Sequence, residues 1–485
     1  MAENIKIKAA RGAMWKGLER IFAQMISTVV SIVLARILVP ADYSIVSIVA
    51  IFFNFCDLFI SGGLNTALIQ KKNADIDDYS TVLWINLIMA TVMYCLMFFG
   101  APYIAKLYGN ALLVPVIRVM ALTFFINGYK AVLCAKVSAE LQFKKFFWAT
   151  FGGTLISGIV GIAMAVKGAG AWALVAQQMT NSFIDSLMLT FFVRLKIKFF
   201  ISKERFKRLF SFGGKIFVAN IINTAYNNLR PLIVGIKFSP TELAFYKKGE
   251  GFPSLVNSIF SNTMSAVLLP AMSKLQDDRK AMLAALRRYI KTCSFVTFPA
   301  MLGFFAVSDN FINVILTEKW IDAAPYIRIF CIVYMLDLIQ IGNVSVIQAL
   351  GRTDITLKTE IIKKSIYTLI VVLAVVFSNS ALLLAASCIL CSIVATIVNV
   401  VPTMKYIDYG YKKLMQDTIG NLIPSVLMSG VVNAMNKLLL NMYVLLLLQV
   451  IVGAVLYVLL CAISKNQNLN YVLRTVKEIR NKGKV

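Results

Sequence analysis

A chain of 485 residues, 59% hydrophobic, with 15% charged residues and a mean hydropathy of +0.77, is too apolar for a soluble globular domain. Its formal net charge of +26 would point to nucleic acid in a soluble protein. In a membrane chain the same excess collects in cytoplasmic loops, so no nucleic-acid partner is expected.

The absence of His excludes His acid–base chemistry and His metal ligation. The eight Cys lie mostly inside apolar stretches and read as small apolar fillers. Cys388 and Cys391 have CxxC spacing, but no further ligands gather near them. No metal site, catalytic residue or cofactor is expected, and no P-loop pattern supplies an ATP drive.

The N-terminal stretch MAENIKIKAARGAMWKGLER is basic and amphipathic, with no small-residue cleavage site after it. The first span is therefore expected to be retained. Fourteen apolar segments follow, each near the bilayer-spanning length. They cover 13–36, 43–68, 80–100, 112–134, 148–166, 171–193, 212–236, 250–273, 290–308, 324–349, 362–378, 381–403, 418–437 and 442–463. An even count puts both termini on one side. With both in the cytoplasm, 36 of the 49 Lys and Arg fall in inner loops and tails and 8 in outer loops. That bias fits the positive-inside rule.

The chain contains a repeat. Pro40-Ala41-Asp42 matches Pro240-Thr241-Glu242, and Asp77-Asp78 matches Asp277-Asp278, both at an offset of 200. Pro115-x-x-Arg118 matches Pro325-x-x-Arg328 at an offset of 210. Six spans per copy make the copies parallel, related by an axis along the membrane normal. The predicted division is an N-terminal six-helix lobe (1–193), a basic cytoplasmic linker (194–211), a second six-helix lobe (212–403), two further helices (404–463) and a basic cytoplasmic tail (464–485).

The seventh segment carries Asn220, Asn223, Thr224, Asn227, Asn228 and Arg230 within an apolar frame. Asn220, Asn223/Thr224, Asn227 and Arg230 recur at helical spacing and share one face. The first segment shows Arg20, Gln24, Ser27 and Ser31 on one face. Such stripes either line a central cavity between the lobes or bond neighbouring helices. Five cations lie within spans: Arg118, Lys130, Lys215, Arg230 and Arg328. Lys130 and Lys215 sit near helix ends, where they can snorkel. Arg118 and Arg328 either frame a cavity mouth or anchor at the interface. Arg230 lies deeper, and a guanidinium suits phosphate oxygens. The acids within spans are Asp57, Asp185 and Asp337. They either pair with the cations or bind and exchange a coupling ion. Asp57 matches Asn257, and Asp337 stands near the match of Asn127, so acid and amide swap between the copies.

The stretches RGAMWKGLERIFAQMISTVVSIVLARILVPADYSIVSIV, NNLRPLIVGIKFSPTELAFYKKGEGFPSLVNSIF and ALIQKKNADIDDYSTVLWINL resemble Wzx-type polysaccharide transporters. These belong to the multidrug/oligosaccharidyl-lipid/polysaccharide (MOP) exporter superfamily. One departure is Asn227-Asn228 before Arg230, where the family often has an acid. The resemblance implies flipping of undecaprenyl-pyrophosphate-linked oligosaccharide units across the bacterial inner membrane, for surface polysaccharide synthesis. It also implies alternating access, coupling to a proton or sodium gradient, and work beside a polysaccharide polymerase and chain-length machinery. A drug or organic-cation antiporter of the same superfamily would want more acids or an aromatic cage in the cavity. A flippase for another polyprenyl lipid, such as the cell-wall precursor, fits the same residues. An enzyme would want a sizeable outer loop, and the outer loops are all short.

In a variant freed of native Cys, cysteines at 220, 223, 224 and 227 are expected to react with water-soluble thiol reagents. Uniform protection would assign the stripe to helix packing instead.

Overall fold

The computed structural model describes residues 2–466 apart from 62, 72 and 73, together with 468–469. The side chains of residues 2–11 and of Lys215 lie outside that description, as does most of the basic tail. Among the described residues the chain is helical throughout, with no strand. Hydrocarbon requires this, because a helix satisfies its own backbone.

The helices in order are α1 (Ala2–Ile37), α2 (Pro40–Ser61), α3 (Leu64–Gln70), α4 (Ile76–Leu107), α5 (Leu113–Met120), α6 (Thr123–Ala139), α7 (Phe143–Val166) and α8 (Ala171–Val193). Then come α9 (Lys203–Lys237), α10 (Pro240–Ser273), α11 (Arg279–Ile315), α12 (Ala324–Ala349), α13 (Thr353–Phe377), α14 (Ala381–Ile407), α15 (Tyr411–Ala434) and α16 (Met442–Ile463). The expected segments fall on helix, but 43–68 is divided between α2 and α3 and 112–134 between α5 and α6. Ten spans among the described residues are long and apolar enough to cross a membrane. The helices outside that set include α8, with Gln177, Gln178, Asn181 and Asp185, and α13, with Glu360, Lys363 and Lys364.

The repeated landmarks are helix starts. Pro40 and Pro240 open α2 and α10, where a missing N–H costs nothing. At the second landmark the copies differ. Asp75 caps α4 in a reciprocal capping box with Asp78. Leu275, at the matching place, cannot cap, and α11 begins three residues later on Asp278.

The chain forms two compact units, Met1–Ala244 and Phe245–Val485. In the first, α7 packs on α1 and α8, and α4 packs on α5 and α6. Helix α9 lies against α2, α3 and α4, so the packing boundary comes one helix after the linker at which the repeat divides. The contact is very close where α2 breaks. Gly63 has φ +87°, and a Cβ there would stand 2.0 Å from the Gly213 carbonyl oxygen of α9. Only glycine allows two backbones to meet like this. In the second unit α11 is central, touching α12, α15 and α16. Trp320 is fully buried in the turn between α11 and α12.

The linker is not a loose strand. Ser80 and Thr81 of α4 accept from the backbone N–H groups of Lys198 and Ser202 at 3.0 and 3.4 Å. The Trp84 indole donates to the Lys198 carbonyl at 3.0 Å. Arg205 then bridges Asp75 at 2.5 Å and Asp78 at 2.9 Å, while Lys198 meets Asp77 at 3.0 Å. Desolvation of Asp75 is outweighed by hydrogen bonds from Arg205 and Asp78, and its carboxyl is held down to about 2. The Asp75 carboxylate is thus charged throughout the neutral range.

Candidate functional site

The two polar faces singled out in the sequence sit on α1 and α9. On α1, Arg20, Gln24 and Ser27 are exposed and Ser31 is half-buried. On α9, Asn223 and Asn227 are exposed, whereas Asn220, Thr224 and Arg230 are half-buried. Pro231 follows Arg230 inside the helix and removes the donor for the Asn227 carbonyl, a natural bending point. The stripe therefore has two destinations. Its neighbour Asn228 turns inward, buried, accepting from Asn54 of α2 at 3.3 Å and donating to the Thr224 carbonyl at 2.9 Å. The sequence offered no partner for Asn228, because Asn54 lies 174 positions away on another helix and no spacing links the two.

The acid–amide swap read at the two offsets is realised in space. In the first unit Asn127 of α6 donates to the Asp57 carboxylate of α2 at 3.3 Å. In the second, Asn257 of α10 donates to the Asp337 carboxylate of α12 at 2.7 Å. The same two helices of each copy are bonded at the same level, with acid and amide exchanged. The amide oxygen of Asn257 is buried and has no hydrogen-bond partner among the described residues.

The copies diverge one turn away. In the first unit Lys130 of α6 meets Asp185 of α8 at 2.5 Å, with the carboxylate only 8% exposed. Lys130 thus pairs rather than snorkels, and Asp185 already has a cation. At the offset of 210, Gln340 stands in place of Lys130 and donates to the Ser392 hydroxyl of α14 at 3.2 Å. A neutral bond replaces an ion pair between equivalent helices.

Arg118 and Arg328 both reach back 20 residues to the preceding long helix. Arg118 donates to the Phe98 carbonyl at 3.3 Å and lies 4.2 Å over the Phe98 ring. Arg328 donates to the Ser308 hydroxyl at 2.9 Å and pairs with Asp309. Each pins α5 or α12 to the helix before it. All eight Cys are free thiols, and among the described residues no three metal-type ligands gather.

Residues 33–325 match the family model described as polysaccharide biosynthesis protein. Lipopolysaccharide biosynthesis protein WzxC of Escherichia coli (strain K12) is 23% identical, over 75% of this chain and 74% of its own. Among solved structures, lipid II flippase MurJ in an inward closed conformation superposes with a TM-score of 0.73. The match has 16% identity and covers 92% of this chain and 98% of that one. An inward-facing multidrug resistance MATE family transporter of the MOP superfamily gives 0.60, at 13% identity, over 83% and 98%. These likenesses show the MOP-exporter fold in a multi-pass membrane protein.

Lys130→Ala would leave the Asp185 carboxylate buried without its cation and is expected to cost about 3 kcal/mol. The readout is a lower Tm in detergent. The double change Lys130→Met/Asp185→Leu, which removes both charges, is expected to recover most of it.

Proposed function

This chain belongs to the polysaccharide biosynthesis protein family, and from that premise we propose that it flips lipid-linked oligosaccharide units across the bacterial inner membrane. The lipid is an undecaprenyl pyrophosphate, the sugar a repeat unit of a surface polysaccharide, and both termini face the cytoplasm. The observation that carries this reading is the pair of exposed polar faces on α1 and α9 in a chain otherwise built for hydrocarbon. Amides and hydroxyls there suit sugar hydroxyls. Arg230 at the end of the α9 face suits the pyrophosphate, for which a planar fork gives two bonds at once. Polymerase and chain-length proteins are the partners that would take up the product.

Transport is coupled to a proton or sodium gradient, with no other cofactor. Asp337 is the acid we assign to it. Its carboxylate adjoins the buried, unpartnered amide oxygen of Asn257, and hard monovalent cations take oxygen ligands. The matching Asp57 lies in a unit that carries its own lysine at Lys130. A drug or organic-cation antiporter is the weaker reading, since the exposed residues of the α1 and α9 faces are amides and an arginine rather than acids. Flipping of another polyprenyl lipid, such as the cell-wall precursor, draws support from the likeness of fold to MurJ.

Arg230→Ala is expected to cut surface glycan by about tenfold or more, the loss of one charged hydrogen-bonded contact. Membrane insertion should be unchanged. Arg230→Lys should restore only part, and normal glycan in the alanine variant would remove Arg230 from the mechanism.

In proteoliposomes, Asp337→Asn is expected to abolish stimulation by an imposed ion gradient while substrate binding persists. Stimulation equal to that of the unaltered protein would place coupling elsewhere.

A further inference from the structure

A groove of about 400 Å3 lies where α15, α16 and the residues just after α16 meet one end of α11. One wall is apolar, formed by Ile423, Leu427, Leu460 and Ile463. The other end is polar, formed by Lys291, Gln416, Asp417, Ser464, Asn466 and Asn468.

The polar end is built from backbone need. Pro424 has no N–H, so the Gly420 carbonyl, four residues earlier in α15, loses its helical donor. The Asn466 side chain supplies the missing bond at 2.8 Å. Fully buried Asn421 accepts from Asn466 at 2.8 Å and from Asn468 at 3.1 Å. It also donates to the Lys291 carbonyl at 3.1 Å and to the Ser294 hydroxyl at 2.8 Å. This network holds the segment after α16 across the end of α15 and keeps the groove open.

The charge of the site is unbalanced. The Asp417 carboxylate has no exposure and takes two bonds from Arg287, between 2.7 and 2.9 Å. Lys291 stands 3.5 Å from the same carboxylate. One acid between two cations leaves a formal charge of +1. The Lys291 side chain is 30% exposed, at the head of an apolar channel. A site of that form fits a molecule with one negative charge and a hydrocarbon tail. A zwitterionic lipid brings its own cation and gains less.

We propose that this groove is a specific site for one anionic phospholipid. Its headgroup phosphate lies against Lys291, and an acyl chain runs along Ile423, Leu427, Leu460 and Ile463. The anionic inner leaflet would supply it. The site shares no residue with the polar faces of α1 and α9, so it stands or falls apart from the transport reading.

The test is native mass spectrometry of the full chain in detergent, supplemented with phosphatidylglycerol or phosphatidylcholine. Phosphatidylglycerol is expected to be retained about fivefold more, the worth of one cation at a membrane surface. Lys291→Gln should bring it down to the phosphatidylcholine level. Lys291→Arg, which keeps the charge, should hold it. Leu460→Trp, which fills the channel, should lower retention of both lipids. Inorganic phosphate should not displace the bound lipid, because it lacks a tail. Equal retention of the two lipids, or no effect of Lys291→Gln or Leu460→Trp, would overturn the site. Loss of lipid in Lys291→Arg, or displacement by phosphate, would overturn it too.

Discussion

Hydrocarbon offers no hydrogen-bond partner, so each polar group this chain carries into its helices must be answered by another part of the chain. That demand explains most of the specific contacts. Asp57 is met by Asn127, Asp337 by Asn257 and Asp185 by Lys130. On α16, Gln449 is fully enclosed by the Asn310 amide and the Val432 carbonyl. Even a missing backbone donor at Pro424 is made good by a side chain from beyond α16. Apolar side chains pack in many registers at similar cost, whereas a polar pair has one. These few bonds therefore fix which turn of one helix faces which turn of the next.

The two copies share this frame but not its charge. Equivalent helices are tied by an acid and an amide in both, with the roles exchanged. Both arginines after the matched prolines reach back the same distance along the chain. One turn from the acid, however, the first unit has a lysine–aspartate pair and the second a glutamine–serine bond. At this level the duplicated scaffold thus carries an ion pair in one copy and a neutral bond in the other. On the neutral side the Asp337 carboxylate stands beside the buried amide oxygen of Asn257, which has no hydrogen-bond partner among the described residues. On the ion coupling proposed above, this asymmetry separates the pair that holds helices together from the acid assigned to the ion.

Much of this was legible in the residues. Membrane class, helical spans, parallel repeat and acid–amide exchange all follow from apolar length and fixed offsets, which survive in one dimension. What was not legible depends on crossings between distant segments. Nothing in the spacing of Asn54 and Asn228 says that α2 and α9 touch. That Gly63 and Gly213 pack on each other is a fact of three dimensions. The sequence marks the linker only as basic and cytoplasmic. Its bonds to α4 use backbone N–H groups, which no sequence pattern displays. Lys130 looked like a snorkelling end residue because its partner is 55 positions away. Along the polar stripe on α9, Asn223 and Asn227 are exposed and Asn220, Thr224 and Arg230 half-buried, while Asn228, off that face, turns inward.

The position of α9 has a consequence for biogenesis. A nascent chain leaves the ribosome from its N-terminus, and its domains close as their pieces arrive. The first copy of the repeat, on the predicted division, is complete at residue 193, but the faces of α2, α3 and α4 that receive α9 remain uncovered until residue 237 has emerged. During that interval the gap at Gly63 and the polar Asn54 have no protein against them. The insertion machinery must shelter a half-finished bundle for one helix longer than the repeat would suggest. The docked linker, with its ready-made hydrogen bonds to Ser80, Thr81 and Trp84, shortens the search by delivering α9 already aligned to its groove.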